Sequence, residues 1–203
     1  MPSRNVLKEN IPETFYHVYA RGASRREIFL DQSGYLFFLS LFARYLSRDQ
    51  QAAPWGSYPH LRGSIELVTY CLMPNHFHLL IYQIDSDAMM SLMKSIMTSY
   101  SRYFNHKYDR SGSLFESRYK AARIASNTHL RHISRYIHLN PRYWRRYPYS
   151  SLRYYVGQPS PDWLQINRIA ELFSSSAEYR EFVEDYEANK IAIDEIKQSL
   201  ANQ

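Results

Sequence analysis

The chain has 203 residues, with 25 Lys+Arg against 19 Asp+Glu, a formal net charge of +6 and a pI near 9.3. That length accommodates one well-buried domain with an appendage and excludes two large ones. The basic balance raises the expectation of a nucleic-acid partner without proving it. No stretch approaches the roughly 20 apolar residues of a membrane span, and the N-terminus lacks the apolar run of a signal peptide. Cys71 is the lone cysteine and can form no intramolecular disulfide, so a soluble protein of the reducing cytoplasm, with no membrane partner, is expected.

Residues 15–21 read as a strand, β-branched and aromatic, ended by Gly22. Residues 32–48 read as a helix, with Leu36, Leu39, Phe42, Ala43 and Leu46 at helical spacing and further apolar residues that widen the buried face. Residues 49–63, with Pro54, Gly56, Pro59 and Gly63, form a loop. Residues 65–72 and 76–82 are two strands joined through Met73-Pro74-Asn75, which gives a hairpin. A long amphipathic helix follows from Ser86 to about His106, with Asp85 and Ser86 as caps. A Gly/Ser turn at 109–113 leads to a segment, 114–124, containing another strand, and Asn127 caps a helix that runs to about Leu139 and stops at Pro141. Short helices near 150–156, 165–173 and 177–190 form a tail, and 194–203 frays. The order points to an α+β fold, an antiparallel sheet with packed helices, comprising a catalytic domain over 1–147 and a helical C-terminal extension over 148–203.

Two constellations bear on chemistry. His76 and His78, two apart on a strand, leave the same face, while Phe77, Leu79 and Ile81 point into the core. Such a pair suits a metal on a rigid element, although an isolated His-x-His is more often structural. On the later helix, Leu130, Ile133 and Ile137 mark the buried stripe, and His132, Tyr136 and Asn140 recur on another face. A phenol with its pKa near 10 attacks a phosphodiester when a divalent cation stabilises the developing charge. In a chain with 19 tyrosines, Tyr136 taken alone reads as packing.

The segments Tyr70-Cys71-Leu72-Met73-Pro74-Asn75-His76-Phe77-His78-Leu79-Leu80 and Tyr136-Ile137-His138-Leu139-Asn140-Pro141 together resemble REP-associated tyrosine transposases, relatives of the insertion-sequence-200-like transposases. The likeness extends to Tyr16-His17-Val18, Arg21-Gly22, Ile28-Phe29-Leu30 and Gly112 to Arg118, and covers roughly residues 14–155. It implies a ferredoxin-like fold of the single-tyrosine HUH endonuclease superfamily, with His76 and His78 binding Mg²⁺ or Mn²⁺, Tyr136 as nucleophile and Asn140 as a third, polar ligand. That last position is Gln in many insertion-sequence relatives and Asn in the REP-associated branch. The implied reaction is cleavage and rejoining of single-stranded DNA through a 5′-phosphotyrosine, with hairpin-forming repeats as substrate and no nucleotide cofactor.

His132, one turn before Tyr136, could orient or deprotonate the phenol, and His17 could face either the site or the core. Arg21, Arg25, Arg26, Arg118, Lys120, Arg123, Arg142, Arg145 and Arg146 are candidate DNA contacts, indistinguishable in sequence from solvated surface charges. The competing readings are a protein that holds DNA hairpins without cutting them and a hydrolytic zinc enzyme, for which no third ligand stands at suitable spacing. Monomer and homodimer are both open, as is the choice between a self-mobile element and a domesticated host protein.

Overall fold

A computed structural model describes residues 10–48 and 60–185. The elements that carry the argument are β1 (Thr14–Arg21), α1 (Gln32–Leu46), β2 (Ile65–Met73), β3 (His76–Gln83), α2 (Ala88–Lys107), β4 (Lys120–Ile124), α3 (Asn127–His138), α4 (Leu152–Tyr155), α5 (Asn167–Ala170) and α6 (Ser176–Glu184). The described strands form one four-stranded sheet in the order β2-β3-β1-β4, each neighbour antiparallel. This is the β-α-β-β-α-β ferredoxin-like arrangement, α+β as the element order predicts. Parts of the predicted 49–63 loop and of the last predicted helix, and all of the fraying tail at 194–203, lie outside the described residues.

Period-two alternation sorts the strands onto two faces. Tyr16, Val18 and Ala20 of β1 and Phe77, Leu79 and Ile81 of β3 join α1 and α2 in one core, where Phe38, Phe42, Tyr100 and Phe104 are buried. The other face is covered as well. Val68, Cys71 and Leu80 pack under Leu130, Ile133 and Ile137 of α3 and under Leu152, Tyr155, Ile169 and Tyr179 of the C-terminal elements. The face that carries His76 and His78 is therefore a second core, where the sequence had given no reason for apolar cover. The chain after Tyr147 supplies much of that cover. It also runs along the outer edge of β2, through Leu72 N to Tyr149 O, Ser151 N to Tyr70 O and Gln165 N to Leu67 O, which pairs these backbone groups of that edge.

Local chemistry sets the ends of these elements. The Asp31 carboxylate caps α1 by accepting from Gly34 N at 3.0 Å. The cap of α2 is not Asp85 or Ser86. Asp87 stands at the N-cap in the left-handed region without a side-chain cap bond, and Gln83, reaching over from the end of β3, accepts from Met89 N at 3.0 Å. Ser126, rather than Asn127, caps α3: its hydroxyl accepts from His129 N at 3.2 Å, and Asn127 is the first helical residue. Gly22 must be glycine, because a Cβ there would lie 2.2 Å from Arg26 O. Its turn docks on the β2–β3 hairpin through Gly22 N to Asn75 O and Ile28 N to Pro74 O, which fixes the end of the hairpin from which β3 starts.

Candidate active site

Strand register and one helix assemble a cluster from three segments, β1, β3 and α3 with the residues just past its end. In the β1–β3 pairing, Arg21 stands opposite His76, Tyr19 opposite His78 and His17 opposite Leu80, so Arg21, Tyr19, His17, His76 and His78 share one face. Helix α3 crosses that face. It sets Tyr136 edge-on to His78 and His17, with ring centroids 5.5 and 5.9 Å away. The His76 and His78 rings are perpendicular at 5.0 Å, and His76 Nε2 meets Asn140 Oδ1 at 3.1 Å. His76, Tyr136 and Asn140 are half-buried, while His78 and His17 are buried, so the cluster opens to solvent at the His76 end.

Burial governs the electrostatics. It lowers the His76 imidazole, an effect the Asn140 hydrogen bond opposes and the Arg21 charge assists. It holds His78 well below the ordinary imidazole range, helped by His17, His76 and Arg21. It pushes His17 down to about 3, with His129 adding to the shift. Burial also raises the Tyr136 phenol, and Tyr19 pushes the same way, while Arg21 and Asn140 pull it back. Neutral imidazoles keep lone pairs available, and the neighbouring cation and amide favour the phenolate that a nucleophile must become.

His76, His78 and Asn140 are the residues that could hold a divalent cation. His76 Nδ1 lies 2.6 Å from Asn75 Oδ1, while its Nε2 faces Asn140 Oδ1. A neutral imidazole has one N–H and cannot donate to both oxygens. With that hydrogen on Nδ1, a lone pair of Nε2 faces a lone pair of Oδ1, which either a cation or a turned amide relieves. Among the described residues, no group of three His, Cys, Asp or Glu is arranged to hold an ion; the cluster offers imidazoles and a carboxamide.

The helix carrying Tyr136 is tied down from its far side. His138, fully buried, pairs Nδ1 with Tyr179 Oη at 2.8 Å and Nε2 with Ser151 Oγ at 2.9 Å. The Arg135 guanidinium donates to Phe182 O at 3.0 Å at the C-terminal end of α6 and stacks on the Phe182 ring. His132 is drawn to this side too: its Nδ1 accepts from Arg135 Nη2 at 2.8 Å, and its ring neighbours Phe182. These contacts engage its Nδ1 and one side of its ring. Tyr19, two along from His17, joins the cluster, and His129, two turns before Tyr136, acts on His17; neither is among the residues expected from sequence, and strand and helix spacing are the signals that point to them.

The basic candidates divide. Arg21 and Lys120 border the site, with Lys120 paired to Tyr19 in register and its ammonium 5.9 Å from that ring. Arg123 pairs with Tyr16 and so belongs to the opposite face. Arg25, Arg118, Arg142 and Arg146 are exposed. Arg145 stacks on Trp144 and meets Glu184 at 3.5 Å, and Arg26 is half-buried with its Nε donating to Ala23 O.

Residues 60–140 match the family model for transposases of the IS200-like kind, a span that includes the first motif and the second as far as Asn140. The resemblance to IS200-like transposases is thus shown over that segment. A solved structure of a REP-associated tyrosine transposase bound to a REP hairpin has a TM-score of 0.54 at 16% identity, covering 80% of this chain and 92% of that one. At that identity the likeness shows the fold. A Deinococcus radiodurans R1 protein, assigned as a transposase by inference, has a TM-score of 0.40 at 15% identity over 64% of this chain and 93% of its own. No curated protein matches the sequence.

Proposed function

Because residues 60–140 carry an IS200-like transposase segment, we propose that the chain cleaves and rejoins single-stranded DNA by transesterification through Tyr136. The observation that carries the reading is the convergence of His76 and His78 from β3, Tyr136 from α3 and Asn140 from just past the C-cap of that helix, rather than from the helix itself, at one solvent-reachable end of the sheet. The Tyr136 oxygen attacks the scissile phosphorus, the bond to the 3′-oxygen breaks, and the 5′-phosphate stays on the tyrosine. The phenol gives up its proton and the departing 3′-oxygen gains one. Rejoining is the same exchange run backward, so no nucleotide is consumed. His76, His78 and Asn140 would hold a Mg²⁺ or Mn²⁺ ion, which supplies charge stabilisation at the phosphate when bound. The Arg21 charge favours the ionised form of the phenol, and with Lys120 it gives the strand phosphates a cationic border.

Hairpin-forming repeat DNA is the proposed substrate, since the neighbour of like fold was solved on a REP hairpin. The aromatic and cationic stretch at 142–147, with Tyr143 exposed and Arg145 stacked on Trp144, suits unpaired bases next to phosphates. The test is oligonucleotide cleavage by wild type and by the His76→Ala, His78→Ala double variant, with and without chelator. Loss of cleavage in the variant and in chelator, with hairpin binding largely retained, is expected. Full cleavage by the double variant sinks the metal assignment, and hairpin binding without cleavage by the wild type favours a non-cutting binder.

A further inference from the structure

His17 has no part in the cleavage chemistry above, yet its imidazole is 1% exposed on the face that carries His78. The register sets the two residues diagonally across β1 and β3. Their rings stack at 5.0 Å and 15°, and His17 Nε2 lies 2.9 Å from His78 Nδ1. A contact of that length between two ring nitrogens holds one hydrogen, so one imidazole donates and the other accepts. His17 Nδ1 is buried without a hydrogen-bond partner.

The direction of that bond decides what His78 offers. If His17 donates, His78 carries its own hydrogen on Nε2 and presents an N–H to the site. If His78 donates from Nδ1, its Nε2 keeps a free lone pair. Only the second form can take a cation through Nε2. Packing gives no reason for an imidazole at position 17, since a phenylalanine or leucine would fill the space without burying an unpaired ring nitrogen.

We infer that His17 is a positioning residue whose Nε2 accepts the Nδ1–H of His78, fixing His78 in the tautomer that leaves its Nε2 lone pair free for a divalent cation. The inference rests on the metal-assisted reading and extends it to a group that touches neither cation nor DNA. In that form His17 carries its own hydrogen on the buried, unpartnered Nδ1, a cost that the His78 bond must offset.

The test uses the full chain, nitrogen-15 labelled, with no metal added. Two-bond proton–nitrogen correlation spectra report the tautomer of His78, and electron paramagnetic resonance of free Mn²⁺ reports affinity. His78 should be the Nδ1–H tautomer in the wild type. His17→Phe should populate the Nε2–H form and weaken Mn²⁺ binding by roughly 10- to 100-fold. His17→Gln, whose Oε1 accepts the same hydrogen, should recover most of the loss. The wild-type spectrum decides the case even where a variant fails to fold: His78 found with its hydrogen on Nε2 overturns the inference. Equal Mn²⁺ affinity in wild type and His17→Phe overturns it while leaving the metal reading intact. A wild type that binds no Mn²⁺ removes the metal reading and this role together.

Discussion

His138→Ala probes the anchoring of the helix that carries Tyr136. His138 is fully buried and both ring nitrogens are paired, to Tyr179 Oη and Ser151 Oγ. Neither partner is stranded by its loss, because Tyr179 Oη keeps Ser134 Oγ at 3.2 Å and Ser151 Oγ keeps Tyr70 N at 2.9 Å. Two hydrogen bonds at about 1 kcal/mol each, with a ring-sized cavity worth about 2 kcal/mol, give a loss of roughly 4 kcal/mol near pH 7.5. Burial holds the His138 imidazole at about 3, against 6.5 ordinarily. The unfolded chain therefore takes up a proton first as pH falls, and wild-type stability declines from about pH 6.5 down to the folded-state value. By pH 5 that decline is roughly 2 kcal/mol for this one group, and the alanine variant does not share it. The difference between wild type and variant should thus shrink from about 4 to about 2 kcal/mol between pH 7.5 and 5. Urea denaturation at both pH values, with unchanged slopes, measures it. A loss under about 1 kcal/mol at pH 7.5, or a difference that grows on acidification, would refute the reasoning.

Ser126→Ala removes the hydroxyl that caps α3 and should cost about 1 kcal/mol by urea denaturation, whereas Asn127→Ala should cost little. Hairpin or single-stranded DNA should outcompete plain duplex, with affinity falling steeply as salt rises; equal affinity for random duplex at physiological salt would count against the DNA reading. Arg21→Ala and Arg123→Ala should separate in the same titration, since only the first lies on the face of the cluster.

Much of the candidate site was legible because it rests on short-range periodicity. His76-Phe77-His78 on a strand must split two imidazoles from one phenylalanine, and Leu130, Ile133 and Ile137 must form a stripe on one helix. Their convergence was not readable from spacing; it depends on the β1–β3 register and on where α3 crosses the sheet, and the resemblance carried that expectation instead. The cap of α2 escaped because Gln83 arrives from another element. Helical spacing groups His132 with Tyr136, but gives no sign of the contacts that His132 makes with Arg135 and with Phe182 of α6. The C-terminal segments read as a tail in sequence, since their short apolar runs give no sign of the sheet face they cover.

The most direct test of the central claim is to identify the tyrosine that becomes linked to DNA. Tyr19 is the nearest competitor, its ring 5.8 Å from that of His78. Burial pushes the Tyr119 phenol up to about 12, and the Tyr147 hydroxyl already donates to Leu72 O at 2.6 Å. Tyr136 stands edge-on to His78, and Asn140, the partner of His76, pulls its phenol down against burial. Trapping the protein on a cleaved hairpin oligonucleotide in a denaturing gel, followed by mass spectrometry of the adducted peptide, should place the phosphodiester link on Tyr136. Tyr136→Phe should keep the fold and DNA binding while losing the adduct and the cut. A link mapped to Tyr19 or to any other tyrosine, or normal cleavage by Tyr136→Phe, would contradict the account.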